Sequence, residues 1–238
     1  MSLKIGLIGG LGWPATTAYY EAICKAQAPG TGTPEMTIES LDMSRTLAAR
    51  GKRGDEESWQ GFDRMFHAAL ARLDATGCDV AAIASVTPHT RLASIAASSP
   101  LPIVSIVDAV SQKLEPGASR HAAILGTSVT MEGSLFDRAL AQKGIAVLRP
   151  DQKDIAAFTA LLEAHFYTGQ AVAGRAALMD YVQSVFGPRE DLVCILACTD
   201  LAHAFPEAAG QADFSADNVR FFDATSAHVA AILEAASR

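Results

Sequence analysis

Short apolar runs rich in β-branched residues alternate with helix-type apolar periodicity along the whole chain of 238 residues. This alternation is typical of a parallel β-sheet whose strands are joined by crossover helices. Helical spacing is clearest from Trp59 to Leu73, and Gly77 is predicted to end that helix. We therefore expect an α/β fold. The predicted strands are Lys4–Ile8, Met36–Leu41, Val80–Ala84, Ile103–Val107, Ala122–Leu125, Ile145–Leu148, Leu192–Ala197 and Phe221–Phe222.

A weak internal repeat indicates two similar halves. Three residues recur at a constant offset of 112 positions, namely Asp79 with Asp191, Ile83 with Ile195, and Thr87 with Thr199. We predict two pseudo-symmetric Rossmann-like domains with parallel four-stranded sheets, residues 1–112 plus 205–238 forming the first and residues 113–204 the second. Because ligands bind beyond the carboxyl ends of the strands in such sheets, we expect the active site in the crevice between the domains.

The composition excludes several classes of protein. The chain has 26 acidic and 19 basic residues and a net charge of -7, with no basic block to bind a nucleic-acid backbone. No apolar run is long enough to span a membrane, and the first residues lack the pattern of a secretory signal. We expect a cytoplasmic protein whose four cysteines are thiols. The six scattered histidines form no metal-binding spacing, so we expect no bound metal.

The loop after the first predicted strand contains a Gly-x-Gly-x-x-Ala string, from Gly10 to Ala15. A dinucleotide-binding loop has this form, but it needs an acidic residue roughly 20 positions on, and Asp42 is farther along the chain. Whether or not a nucleotide binds, a glycine-lined helix N-terminus attracts an anion. Gly10 and Thr16 are therefore candidates for binding a carboxylate, and a purely structural loop is the alternative.

A second loop of this kind, Gly126 to Thr130, carries hydroxyl groups at Thr127 and Thr130. These hydroxyls are expected to donate to an anion, and they would serve equally well as helix caps. Arg45, Arg50 and Arg53 follow the second predicted strand. Arg50 is a candidate clamp for a carboxylate, since arginine binds carboxylates in bidentate fashion, and a solvated basic stretch is the other interpretation.

Cys198 is the leading candidate for an acid/base group. It ends a buried-looking strand and is followed by Thr199 and Asp200, with His203 close by. A thiol in such a polar setting ionises more readily than one in a core, whereas a small buried apolar residue is the plain alternative. Ser85 ends another such strand, in the segment that contains Thr87 and His89. Its hydroxyl is a poor base unless a neighbour such as His89 takes its proton.

Together these loops resemble the aspartate/glutamate/hydantoin racemase superfamily, and the first loop resembles its aspartate and broad-specificity amino-acid racemase branch. The motif of the first loop is carried by Gly9, Gly10, Trp13, Thr16, Tyr19 and Tyr20. The other motifs are Gly126-Thr127 with Thr130, Cys198-Thr199-Asp200 for the family's Cys-Thr-Glu, and Asp223 to Thr225 for a late Asp-x-Thr. The resemblance implies a cofactor-independent, homodimeric enzyme in which two cysteines exchange the α-proton of an amino acid.

The sequence departs from this family at the first catalytic motif. Where the family has Cys-Asn-Thr-x-His, this chain has Ser85-Val86-Thr87-Pro88-His89, so the first cysteine and the asparagine are both absent. A lysine that aspartate racemases place before a Gly-Arg pair corresponds to Val172, before Gly174 and Arg175. Two-base racemisation needs an acid/base group on each face of the substrate, and a serine hydroxyl meets this need badly.

We therefore predict a racemase-family isomerase that acts at the α-carbon of an aspartate- or glutamate-like amino acid. Cys198 and Ser85 are the predicted catalytic residues, and Cys198 is the acid/base group. The predicted substrate-binding residues are Gly10, Thr16, Arg50, Thr87, His89, Thr127, Thr130, Thr199 and Asp200. The alternatives are a single-cysteine lyase of the arylmalonate-decarboxylase type, a protein that binds small carboxylates with little activity, and a nicotinamide oxidoreductase.

Overall fold

Two separate β-sheets organise the chain in the computed structural model, which describes residues 3–26, 32–52 and 54–237. The residues cluster into two compact units, residues 1–105 with 229–238 and residues 106–228. The strands are β1 Ile5–Gly9, β2 Met36–Ser40, β3 Val80–Ile83, β4 Ile103–Val104, β5 His121–Gly126, β6 Ala146–Leu148, β7 Leu192–Ala197, β8 Asp213–Ala216 and β9 Val219–Asp223. The helices are α1 Trp13–Lys25, α2 Met43–Ala48, α3 Gln60–Ala75, α4 Leu92–Ala97, α5 Ile106–Lys113, α6 Ser128–Glu132, α7 Asp137–Ala141, α8 Gln152–Leu161, α9 Ala171–Phe186 and α10 Ala224–Ala236.

The first unit contains a four-stranded parallel sheet in the order β2-β1-β3-β4. Its central strands β1 and β3 are buried at every position, which explains why they are continuous apolar runs rather than alternating ones. On α3, Phe62, Phe66 and Leu73 recur at helical spacing and are buried in the core of this unit. The predicted amphipathic helix is therefore confirmed, and Gly77, with a φ of 77°, follows its end.

The second unit contains a five-stranded sheet in the order β6-β5-β7-β9-β8. Four of its strands are parallel, whereas β8 runs antiparallel to β9. The turn between β8 and β9 consists of Asp217 and Asn218, both with positive φ, which suits a tight hairpin. The parallel α/β architecture is as predicted, but β8 makes this sheet one strand larger than the predicted four.

The division of the chain differs from the predicted one mainly in residues 205–228, which belong to the second unit. The physical reason is strand pairing. β9 extends the second sheet by pairing with β7, from Val193 opposite Arg220 to Leu196 opposite Asp223. Helix α5 also falls in the second unit, because the predicted strand Ile103–Val107 stops at Val104 and the chain turns into a helix at Ile106. Among the described residues, no helix is both long and apolar enough to cross a membrane.

Candidate functional site

The loop after β1 is held closed by its own residues. The backbone N–H of Gly10 donates to the hydroxyl of Thr16 at 2.9 Å, which fastens the loop to the first turn of α1. Gly10 has a φ of 78°, and a Cβ at this position would lie 2.1 Å from the carbonyl oxygen of Leu41. The hydrogen bond and the close approach give Gly10 and Thr16 a structural role, and their role in binding a carboxylate stays a prediction.

Asp42, the acidic residue that a dinucleotide site would use, is engaged locally. Its carboxylate accepts a hydrogen bond from the backbone N–H of Arg45 at 2.9 Å and caps the N-terminus of α2. This cap gives Asp42 a structural reason to be present in the sequence. The geometry therefore adds nothing to the nicotinamide interpretation of the first loop.

The segment that follows β3 places Ser85 on a braced turn. His89, which is 3% exposed, has Nδ1 2.9 Å from the carbonyl oxygen of Ser85, so Nδ1 carries the hydrogen of this bond. Arg91, two residues further on, forms hydrogen bonds from Nε and Nη2 to the carboxylate of Asp63 at 3.2 and 2.8 Å. Thr87 is buried in the same turn. Ser85 itself stays partly exposed.

Ser85 and Arg50 lie on one small pocket of the first unit. The pocket is lined by Leu11, Met43, Thr46, Leu47, Arg50, Phe62, Ser85 and Pro88. Most of its wall is apolar, and Arg50 and Ser85 contribute a cation and a hydroxyl. The structure thus brings together two residues that the sequence proposed separately. Arg45 lies on α2, and Arg53 lies outside the described residues.

In the second unit, three neighbouring strands end side by side. Gly126 at the end of β5 pairs with Ala197 at the end of β7, and Leu196 of β7 pairs with Asp223 at the end of β9. Thr127 and Cys198 follow directly after β5 and β7, and Thr225 lies two residues after the end of β9. The register of the sheet therefore assembles most of the predicted residues of the second half at its carboxyl edge.

The hydroxyl groups of Thr127 and Thr130 face each other, with their Oγ1 atoms 3.2 Å apart. Thr127 is the residue before α6, yet its side chain does not cap that helix. Thr130 is almost fully buried. The structure therefore does not show Thr127 as a side-chain cap of α6, and anion binding by the two hydroxyls stays a prediction.

Cys198 is buried at the carboxyl end of the central strand β7. Its thiol donates to Oδ2 of Asp200 over 3.9 Å, and both residues are 7% exposed. Burial, and to a smaller extent charge repulsion by the adjacent Asp200 carboxylate, raise the pKa of the Cys198 thiol to about 12. In this arrangement the thiol keeps its proton at neutral pH.

Asp200 is itself unusual, since its second carboxylate oxygen, Oδ1, is buried and has no hydrogen-bond partner within the described residues. Burial raises the pKa of Asp200, while the charge of His203 lowers it. His203 lies on the same turn and is exposed to solvent. Thr199, between Cys198 and Asp200, is also buried.

Thr225 is a candidate that the predicted set of substrate-binding residues did not include. Its Oγ1 is buried and has no partner among the described residues. Its backbone N–H donates at 3.0 Å to Asp223, whose carboxylate also accepts bonds from the N–H and hydroxyl of Ser226. The late Asp-x-Thr motif marked this residue, because a hydroxyl two positions after a strand-ending aspartate lies at the carboxyl edge of the sheet.

Comparison with known proteins gives consistent results along the whole chain. The family model described as Asp/Glu/Hydantoin racemase matches residues 8–232. An aspartate racemase homologue from Pyrococcus horikoshii OT3 has a similar structure, with 24% sequence identity, a TM-score of 0.75, and 99% of each chain covered. The aspartate racemase of Picrophilus torridus is 16% identical, with a TM-score of 0.76, 99% of this chain covered and 94% of that one.

A glutamate racemase from Francisella tularensis subsp. tularensis SCHU S4, solved in complex with D-glutamate, is less similar. It is 12% identical with a TM-score of 0.57, and the match covers 98% of this chain and 81% of that one. At such identities the structural likeness concerns the fold. It agrees with the α/β architecture and the parallel sheets described above.

Proposed function

Because this chain belongs to the Asp/Glu/Hydantoin racemase family, we propose that it transfers the α-hydrogen of an aspartate- or glutamate-like amino acid, with Cys198 as the acid/base group. The observation that carries the proposal is the position of Cys198. It is buried at the end of the central strand β7 and contacts the carboxylate of Asp200. Its neighbours at the ends of β5 and β9 contribute hydroxyl groups.

The chemistry requires a base for the α-hydrogen and donors for the charge that develops. When the C–H bond breaks, its electron pair is delocalised into the substrate carboxylate, whose oxygens gain negative charge. Hydroxyl donors close to those oxygens stabilise this charge. Thr127, Thr130 and Thr225 carry hydroxyl groups at the carboxyl edge of the second sheet, and we assign them this task together with Thr199.

The two candidate acid/base groups of the proposed reaction, the Cys198 thiol and the Ser85 hydroxyl, differ in how readily they lose a proton. The thiol of Cys198 becomes a strong base once it loses its proton, whereas the Ser85 hydroxyl stays protonated unless another group removes its proton. We therefore expect efficient exchange of the α-hydrogen from one enantiomer and slow interconversion of the two enantiomers. Ser85 and Arg50, which line the same pocket, are assigned to binding of the substrate side chain and its carboxylate.

One observation favours a second candidate, a single-cysteine lyase of the arylmalonate-decarboxylase type. Ser85 stands where a second cysteine would be, and its pocket is walled by Leu11, Met43, Leu47 and Phe62. These side chains suit an apolar substituent next to a carboxylate by their chemistry, but the cavity of about 10 Å³ holds no more than a water molecule and would have to open to admit one. In this reaction Cys198 would protonate the carbanion that remains after carbon dioxide leaves. Release of carbon dioxide from substituted malonates identifies this activity.

The proposal is tested by proton NMR of the α-hydrogen in deuterium oxide, with both enantiomers of aspartate and glutamate. We expect the native protein to exchange at least one enantiomer and Cys198→Ala to lose this exchange by about a hundredfold or more. Cys194→Ala is the matched control, because Cys194 is a buried thiol on the same strand whose pKa burial also raises to about 12. If Cys198→Ala exchanges as fast as the native protein, the assignment is wrong.

We also propose that the protein is a homodimer, as the family resemblance implies. Large apolar side chains remain exposed on the surface of the described chain, among them Trp13 on α1, which is 75% exposed, and Tyr20 on the same helix. Light scattering during size-exclusion chromatography tests this directly. A mass equal to one chain at micromolar concentration contradicts the proposal. The cytoplasmic location stays a prediction.

A further inference from the structure

The edges of the two sheets differ in how well they are protected from other chains. The edge strands are β2 and β4 in the first sheet and β6 and β8 in the second. β4 has two residues, β6 has three, and β8 has four with its Asp213 bound by Arg220. β2, Met36–Ser40, has five residues and contains neither lysine nor proline, which commonly protect an edge. Within the described chain β2 is the longest and least protected edge.

The outer side of β2 presents backbone groups that are open to pairing. At its end the N–H of Leu41 donates to the carbonyl oxygen of Gly9 on β1 at 3.0 Å. Because the direction of the backbone groups alternates along a strand, the N–H and C=O groups of Met36, Ile38 and Ser40 point away from β1. No backbone hydrogen bond from the described residues reaches these outward groups.

We propose that β2 is the contact strand of a homodimer, in which two copies of this chain pair their β2 strands antiparallel about a twofold axis at Ile38. The inference rests on the homodimer proposed above and assigns a surface to it. The same patch of both copies then forms the contact, as a twofold axis requires. The pairing joins two four-stranded sheets into one continuous sheet of eight strands.

The sequence of β2 complements itself in this register. Ile38 lies opposite its own copy, and Met36 lies opposite Ser40 of the partner subunit. These are the residues whose backbone groups point outwards, so each of the three pairs exchanges two hydrogen bonds. Between them Thr37 lies opposite Glu39 of the partner subunit. Like charges directly opposite each other are destabilising, and this register keeps the two Glu39 carboxylates from facing one another.

The charge of Glu39 is already balanced within each chain. Its Oε1 accepts a hydrogen bond from Nε of Arg72 at 2.9 Å, and Nη2 of Arg72 is 2.8 Å from the same oxygen. On the same face the hydroxyl of Thr37 is 3.3 Å from that of Thr76. The strand therefore brings no unbalanced charge to the contact. A second copy of this neutral, nearly symmetric strand fits it better than an acidic or a basic peptide.

Apolar side chains extend the proposed contact on the other face of the sheet. Ile38, at the centre of the strand, is 39% exposed. Met36, on the same face, packs partly buried against the core that contains Tyr19 and Ile23 of α1, so α1 covers this face. Tyr20 of α1 is also exposed. Burial of Ile38 at the axis supplies the apolar gain, since exchanging water for a backbone partner stabilises only modestly.

The first test measures the mass of the native protein, Ile38→Lys and Val172→Lys by light scattering during size-exclusion chromatography. Ile38→Lys places two ammonium groups opposite each other at the axis. Val172→Lys is the matched control, because Val172 is an exposed apolar residue of the second unit. We expect a mass of two chains for the native protein and the control. For Ile38→Lys the dissociation constant should rise at least about tenfold.

The second test gives a positive signal and uses Ile38→Cys. In a hydrogen-bonded antiparallel pair the two Cα atoms are about 5.5 Å apart, which a disulfide can span. Oxidised glutathione is expected to link two chains through the thiols introduced at position 38, and peptide mass spectrometry without reduction identifies the link. Val172→Cys is the control and should form no such link between chains.

The outcomes separate the surface from the homodimer and from the reaction. A native mass of one chain overturns the homodimer and this surface with it. A native dimer that Ile38→Lys leaves as tight as the control does, or that yields no link in Ile38→Cys, overturns β2 as the contact while the homodimer stands. Exchange of the α-hydrogen is measured separately and reports on the proposed reaction alone. Circular dichroism confirms that each variant is folded.

Discussion

His89 holds the backbone of Ser85 through a 2.9 Å hydrogen bond from Nδ1 to the carbonyl oxygen of Ser85. The imidazole is buried, so the bond is shielded from water and fixes the turn at the end of β3. The Ser85 hydroxyl is not the atom that His89 contacts in this bond. The geometry therefore favours His89 as a brace for the turn, rather than as a base that activates the hydroxyl.

This braced position leads to the prediction that Ser85→Cys increases interconversion of the enantiomers. The variant places a thiol on a turn whose backbone is already fixed, and a thiol is a far better proton carrier than a hydroxyl at neutral pH. We expect an increase of about tenfold or more in racemisation relative to the native protein. Proton NMR in deuterium oxide, started from each enantiomer separately, measures it.

Ser98→Cys is the control for this gain, because Ser98 is an exposed serine of the same unit. It should leave the rate of interconversion unchanged. A Ser85→Cys protein that is folded and binds substrate but racemises no faster than the native one contradicts the prediction.

The ion pair of Arg91 and Asp63 is predicted to stabilise the first unit. Both side chains are 11% exposed, and Asp63 accepts two hydrogen bonds from the guanidinium. We expect Asp63→Asn to lower the free energy of unfolding by about 2 kcal/mol, since it weakens charged hydrogen bonds in a buried setting. Glu56 also contacts Arg91 but is 79% exposed, so Glu56→Gln should cost about 0.5 kcal/mol or less. Urea denaturation measures both values. Equal losses of free energy of unfolding in Asp63→Asn and Glu56→Gln would contradict the prediction.

Gly10→Ala is predicted to destabilise the protein far more than Gly77→Ala. Both glycines have a positive φ, of 78° and 77°, so both variants incur the strain of the left-handed region, about 1 kcal/mol. At Gly10 the new Cβ would also collide with the carbonyl oxygen of Leu41, whereas at Gly77 it would meet open space. We expect a loss of about 3 kcal/mol for Gly10→Ala by urea denaturation. Similar losses of free energy of unfolding in Gly10→Ala and Gly77→Ala would show that the first loop rearranges to accommodate the added Cβ.

The raised pKa of Asp200 predicts a pH dependence of stability. Its ordinary value in an unfolded chain is about 3.9, so above that pH the native protein holds this proton more tightly than the unfolded chain does. The resulting stabilisation is present at low pH and is lost as the pH rises through the folded pKa. Asp200→Asn should therefore gain free energy of unfolding relative to the native protein between pH 4 and pH 7. Urea denaturation at several pH values measures the difference in free energy of unfolding between Asp200→Asn and the native protein. If this difference is the same throughout the range, the prediction is wrong.

Much of the fold is predictable because its strands are buried on both faces. The continuous apolar run Leu192–Ala197 needs no periodicity to be identified, and the structure has β7 at these residues. Strand β8 cannot be predicted from an apolar run, because Asp213–Ala216 is short and largely exposed. Only its pairing with β9 makes it a strand. For the same reason residues 205–228 are difficult to assign to a domain, because a pairing between distant segments leaves no local pattern.

The candidate residues were predictable from motif position, but their contacts were not. The sequence places Cys198 and Asp200 two residues apart, yet only the turn after β7 brings Sγ and Oδ2 into contact. The same holds for Ser85 and Arg50, which are distant in sequence and share a pocket. The expected active site in the crevice between the domains stays a prediction, as do the roles of the individual residues.

The antiparallel strand β8 forms one edge of the second sheet, next to β9. A parallel sheet left open at β9 would offer unpaired backbone groups to a neighbouring chain, which is a common start of aggregation. β8 occupies that edge with only four residues, and its Asp213 is bound by Arg220 of β9. A short, charged final strand is a poor template for further strands. We infer that the hairpin protects the protein from self-association through this edge at high concentration.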